Sequence, residues 1–231
     1  MNAAYPKDDF LHGVQDLCRQ RGALLIFDEM VTGFRFARGG AQQFFGIKPD
    51  LATFGKALAN GYPLSAIVGR AEIMALMEKI FFSFTMGGEA LSLAAALATL
   101  EKIDKEPVIE KLYENGTNII AGLKKIIERR ELSKIFGVSG HPSWSFLSIL
   151  DTNDYKSLEI KTLFLQEMFS KNILTLGTHN LSYSHNKAGI KTLLSAYESV
   201  FCQISELIRH KNLRKALRCQ PLTPLFAVRE A

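Results

Sequence analysis

The chain has 231 residues, 47% apolar and 22% charged, with a formal net charge of +5. That balance is ordinary for a folded globular protein and argues against disorder, and no apolar run approaches the roughly 20 residues a membrane-spanning helix needs. Three cysteines (Cys18, Cys202 and Cys219) match neither a disulfide framework nor a zinc knuckle, so a reduced cytoplasmic compartment is expected.

Along the chain, Leu11, Val14, Leu17 and Cys18 share one side of a helical pattern over residues 10–21, which Gly22 should end. Ala23 to Phe27 is a continuous apolar run, as expected of a strand buried on both faces of a parallel sheet. Leu51 to Phe54 and Ser65 to Val68 are further short strand candidates, each stopped by a glycine. Three such strands between irregular loops indicate the core of an α/β layer. From Gly87 the pattern turns helical with LSLAAALATLEK, rich in strong helix formers. Pro107 then sits at a first helical position, and three-and-four spacing from Val108 to Ile127 marks an amphipathic helix ending near Arg130. Trp144 to Leu150 reads as a strand, Ser157 to Ser170 as a helix, and Ile190 to Ile208 as the last long helix. A boundary near residue 104 divides the chain into 1–104, rich in strands, and 105–231, rich in helices. The excess positive charge sits from Arg209 onward (Arg209, Lys211, Arg214, Lys215, Arg218, Arg229). Without an accompanying aromatic or glycine-rich RNA motif it reads as a solvated helix end and tail, and no nucleic-acid partner is expected.

Three motifs carry chemistry. LLIFDE (24–29) ends an apolar strand in acids, where α/β sheets place their ligand sites. Such an acid can hold magnesium in a nucleotide hydrolase, or pair with the protonated ring nitrogen of pyridoxal 5′-phosphate (PLP) and keep that ring electron-accepting. KPDLATFGKALANGYP places Lys56 just past a short strand, 28 residues after Asp28. A phosphate-binding G-x-x-x-x-G-K-[ST] loop is absent and Ala57 offers no hydroxyl for magnesium, which disfavours the hydrolase. A lysine held at a strand end by glycine turns can instead attack a carbonyl as a neutral amine. FSFTMGGEALSLAAA (82–96) sets Thr85 and Gly87-Gly88 immediately before a helix, where a hydroxyl and free N–H groups suit either a phosphate or a plain helix cap.

In this order the motifs resemble class III PLP-dependent aminotransferases, the glutamate-1-semialdehyde aminomutase-like branch above all, with GALLIFDEM-V-TGFR and the following Gly-Gly-Ala as the densest match. The match is dense over 10–105 and looser over 106–210, where Ser182 to His185 is also similar. The resemblance implies an α/β, fold type I architecture. Residues 1–104 would be the C-terminal part of a PLP-binding large domain with a mixed, mostly parallel sheet. Residues 105–231 would be an α/β small domain with a basic tail. It also implies that Asp28 binds the pyridine nitrogen, Met30 packs against the ring, Lys56 holds the cofactor covalently and moves the proton, and Thr85 binds the phosphate of a neighbouring subunit in a homodimer. The substrates would be a small amino donor and a carbonyl acceptor. Phe84, Gly87, Glu89 and Ala90 depart from the aminomutase phrase, as do Met30 and the pair Ala59-Asn60, so amino-group transfer is the broader expectation. The family's Ser/Gly-rich phosphate loop and ring-stacking aromatic belong to an upstream stretch. The chain is therefore read as truncated, and the alternative is a catalytically dead remnant that survives as a folded or dimerising module. The five histidines are scattered without metal-ligand spacing, so no metal is expected. His185 should help start the last helix, and Arg35 is a candidate for meeting a carboxylate or a surface acid.

Overall fold

The computed structural model describes residues 5–224, which form two compact units, Tyr5–Tyr113 and Glu114 onward. No helix among the described residues is long and apolar enough to cross a membrane.

In the first unit, helix α1 (Phe10–Arg21) ends where Gly22 takes a left-handed turn at φ 64°, its N–H and that of Ala23 returning to the last carbonyls, the glycine stop the sequence implied. Strands β1 (Ile26–Asp28), β2 (Leu51–Phe54) and β3 (Ala66–Gly69) make one sheet in the order β1-β2-β3, with helix α2 (Gly40–Phe44) between the first two. β1 and β2 run parallel and β2 and β3 antiparallel, so the sheet is mixed. β1 is shorter and more exposed than its apolar run suggests, with Leu24 and Ile26 more than half exposed. Among the described residues β1 pairs with a strand on one side only, which leaves its apolar side chains uncovered. Leu11, Val14, Leu17 and Cys18 of α1 are likewise not buried; the buried residue of that helix is Gln15, whose amide donates to the Lys48 carbonyl at 2.8 Å. After α3 (Ala71–Met74), helix α4 (Ala90–Lys105) begins at Glu89, whose carboxylate accepts from Leu91 and Ser92 N–H at 2.7 Å. Ala52, Phe54, Leu58, Ala59 and Ala96 form a small core joining β2, the turn after it and α4.

Helix α5 (Val108–Arg129) follows Pro107 directly, as an N-terminal proline allows. The second unit then packs the antiparallel sheet β4 (Phe136–His141), β5 (Trp144–Ile149) and β6 (Thr178–Asn180) with helices α6 (Ser157–Ser170), α7 (Lys187–Arg209) and α8 (Leu213–Ala216). Its centre is aromatic: Phe136 stacks on Phe201 at 3.9 Å between centroids, and Tyr197 stacks on Phe164 at 5.5 Å. Gly116 of α5 lies so close to the β4–β5 turn that a Cβ there would sit 1.6 Å from the Pro142 carbonyl oxygen. The Asn186 side chain caps α7 by accepting from Gly189 N–H at 2.9 Å. His185 sits just ahead of it, its Nδ1 accepting from Ser182 N–H at 2.9 Å and its carbonyl from Asn115. The basic C-terminal stretch is largely charge-compensated: Arg209 pairs with Glu206, Lys211 with Asp154, Arg214 with Glu159 and Arg218 with Glu167. Arg229 lies outside the described residues.

A buried polar relay crosses this unit. His179 Nδ1 meets Ser145 Oγ at 2.9 Å and its Nε2 meets the Tyr197 hydroxyl at 2.8 Å. Burial pulls His179 from its ordinary 6.5 down to about 4 and pushes the Tyr197 phenol up. A neutral folded His179 means that the unfolded chain binds the extra proton between those values. Stability is therefore full above pH 6.5 and falls as the pH drops toward 4, by up to about 3 kcal/mol. Urea midpoints of a His179→Gln variant should change less across that window than those of the wild type. Gly116→Ala should cost about 3 kcal/mol by the same measurement, because the turn against it is backbone and yields poorly.

Candidate active site

The parallel register sets Ile26 beside Leu51 and Asp28 beside Thr53, so both chains leave the sheet at the same end. Asp28 is exposed there. Its Oδ1 accepts the Met30 N–H at 3.0 Å and the Thr53 hydroxyl at 3.4 Å. Immediately past β2 the backbone reaches Gly55, which is buried. A Cβ at that position would lie 2.4 Å from Met30 Cε. The glycine lets the methionine side chain lie directly on it, and its extended backbone would suit other residues.

Lys56 follows in the left-handed region at φ 45°, opening a 3-10 turn over Lys56–Leu58. Asn60 N–H returns to the Lys56 carbonyl at 3.0 Å and Leu58 N–H to that of Gly55 at 2.9 Å. Leu58 and Ala59 anchor this turn in the core of the unit, while the Lys56 side chain stays exposed and forms no ion pair among the described residues. An anchored backbone therefore carries a free amine on the same edge as an exposed carboxylate and a thioether.

Thr85 stands apart. It lies on the exposed stretch Phe81–Gly88, and no hydrogen bond joins it to Asp28, Met30 or Lys56 among the described residues. It does not cap α4 either, since Glu89 does. Arg35 is partly buried, and that burial lowers its guanidinium below the ordinary value. The described residues contain no group of three or more His, Cys, Asp or Glu able to hold a metal. A cavity of about 560 Å³ belongs to the second unit, lined by Ile119, Leu174, Leu176, His179, His185 and Leu193 among others; it includes none of the four motif residues.

Sequence reasoning passed over Glu29. It is 1% exposed, and its carboxylate accepts from the Thr32 hydroxyl, from Ala41 N–H at 2.8 Å and from Gln42 N–H at 2.7 Å. Gly40, at φ 80°, leaves room for it: a Cβ there would lie 2.4 Å from Glu29 Oε2. The signal available in the sequence was the Gly39-Gly40 pair, ten and eleven residues beyond the acid.

A lysine at positive φ costs about 1 kcal/mol, and such outliers persist where the surroundings over-determine them. Lys56→Gly should therefore raise the urea-unfolding stability by about 1 kcal/mol, whereas Lys56→Ala, which keeps the Cβ, should not.

Comparison with known proteins completes the picture. The family description aminotransferase class-III matches residues 2–161. The chain is 33% identical over 223 residues to a glutamate-1-semialdehyde 2,1-aminomutase of Syntrophobacter fumaroxidans, covering 90% of this chain and 51% of that one. It is 29% identical over 206 residues to a 3-aminobutyryl-CoA aminotransferase of Cloacimonas acidaminovorans, covering 88% and 49%. Among solved structures, the PLP internal aldimine form of the FumI protein of Sphingopyxis sp. MTA144 superposes with a TM-score of 0.82 at 28% identity, covering 96% of this chain and 51% of that one. A transaminase solved with PLP bound gives 0.81 at 19% identity, a likeness of fold alone. The chain spans about half the length of the curated relatives it matches. The architecture is that of the fold type I transferases, and the chain belongs to the class-III aminotransferase family.

Proposed function

We propose that this chain takes part in PLP-dependent amino-group transfer, as an aminotransferase or an aminomutase, with Lys56 as the catalytic residue. The observation that carries the reading is the exposed carboxylate of Asp28 and the unpaired amine of Lys56 at one end of a parallel strand pair. The residues fit the cofactor. Both local donors to Asp28 go to Oδ1, leaving Oδ2 to accept a cationic ring N–H. The Lys56 amine would hold the cofactor covalently, Met30 would lie against its ring, and Thr85 would donate to the phosphate of the cofactor held by a neighbouring subunit. When bound, PLP supplies an electron sink for the bond broken beside the substrate nitrogen.

The chain's own groups do the rest. Asp28 would pair with the ring nitrogen and favour its protonated form. Lys56 Nζ would be the base that moves the proton between the substrate α-carbon and the cofactor's C4′ atom. Residues 1–104 would form part of the cofactor-binding large domain and residues 105–231 the small domain; the two compact units support a two-part chain, with their own boundary between Tyr113 and Glu114. A homodimer that shares its site is supported by Thr85 lying among the exposed side chains of Ile80, Phe81, Phe82 and Phe84. Its cysteines are free, which suits a cytoplasmic setting. That same apolar stretch favours a second reading, a folded module that dimerises without catalysis.

Borohydride reduction in the presence of PLP, followed by peptide mapping, separates the two. A phosphopyridoxyl group confined to Lys56, and missing from a Lys56→Ala variant, is the expected result. Label spread evenly over surface lysines would refute the catalytic reading and leave the module.

A further inference from the structure

Glu29 stands between two of the cofactor-directed residues and has no part in the chemistry assigned to them. Its buried carboxylate gathers one hydroxyl and two backbone N–H groups from the loop that follows it. Its backbone works in the opposite direction: Glu29 N–H donates to the Thr53 carbonyl at 2.9 Å, one step beyond the last strand pair, and its own carbonyl accepts Gly33 N–H at 2.8 Å. Gly33 in turn lies against Phe54, where a Cβ would be 2.6 Å from the ring. Met30, the next residue, rests on Gly55. The Glu29 N–H bond and the contacts of Gly33 and Met30 end on the stretch 53–55, immediately before Lys56, while the carboxylate ties the other end of the segment to Thr32, Ala41 and Gln42.

We propose that Glu29 is a positioning residue for Lys56. By fastening the 30–42 loop from beneath, it presses Met30 and Gly33 onto Phe54 and Gly55, and so holds the left-handed backbone from which the lysine projects. The geometric part stands on its own; its bearing on PLP rests on the function proposed above. Glutamine in place of Glu29 keeps the shape but leaves one oxygen to serve three donors, so buried N–H groups of the loop lose their acceptor.

Amide hydrogen exchange of the full chain, read by peptide mass spectrometry, tests this without the cofactor. In Glu29→Gln, exchange should quicken at least about tenfold both over residues 38–44 and over residues 50–61, with α7 unchanged. Thr32→Val, which removes only the hydroxyl donor, should move the same two segments in the same direction by a smaller factor. It decides the matter should Glu29→Gln fail to fold. Faster exchange over 38–44 alone would overturn the proposal, as would an equal rise everywhere, α7 included.

A second arm reads the lysine. Glu29→Gln should lower the share of borohydride-trapped PLP found at Lys56 about tenfold and displace the pH profile of trapping there, a displacement that loss of stability alone would not produce. An unchanged profile and share would overturn the proposal. If the wild type shows no preference for Lys56, the proposed function fails, and the exchange result still decides the role of Glu29.

Discussion

The parallel hydrogen bonding of Ile26–Asp28 with Leu51–Phe54 is the constraint on which the site depends. Side chains on paired strands are fixed in level by the register, and a slip of one residue would turn each to the opposite face. With Asp28 beside Thr53, the carboxylate and the lysine three residues later leave the sheet together. An antiparallel pairing of the same two strands would have sent them to opposite ends. β3 pairs with β2 in that antiparallel sense and supports the pair from the far side.

The opposite end of the same pair is held by charge. Asp50 accepts Leu25 N–H at 2.8 Å and meets the Arg70 guanidinium at 2.7 Å. The Leu25 N–H first and Arg70 second keep its carboxyl below the usual range. Such partly solvated pairs contribute little to overall stability. Their effect here is alignment, since they fix where β1 and β2 begin and β3 ends relative to one another. The strands are only three or four residues long, so little else in the sheet could set the register.

Much of this was legible in the sequence. Helices α1, α6 and α7 and strand β2 follow from periodicity and glycine punctuation, because their patterns are local, while the cap of α7 is Asn186 and not the His185 expected to help start it. Strands β4 and β6 were not foreseen. β4 reads Phe-Gly-Val-Ser-Gly-His, with two glycines and no clean alternation, and β6 has three residues; both exist through pairing with β5. Asp28 and Lys56 could be marked by spacing, yet their common level came from a pairing across 25 residues that no local pattern encodes. Glu29 escaped notice for a related reason. A glutamate at the end of an apolar run reads as solvated, and only the folding back of Ala41 and Gln42 turns it into a buried anchor. Helix α4 starts at Ala90 and not at Gly87 because the carboxylate of Glu89, and not Thr85, caps it by reaching two N–H groups at once.

The ion pairs that fasten the C-terminal stretch also bear on the order of events during synthesis. Arg214 and Arg218 meet Glu159 and Glu167, partners that precede them by 55 and 51 residues. Glu159 and Glu167 are nearly buried in these pairs, and a carboxylate is poorly accommodated in such surroundings without its counter-ion. On the ribosome, helix α6 therefore waits roughly 3–10 s for the cations that complete it. Until they emerge, its acids hold it open to water, and the packing of α6 is completed only after Arg214 and Arg218 have been made.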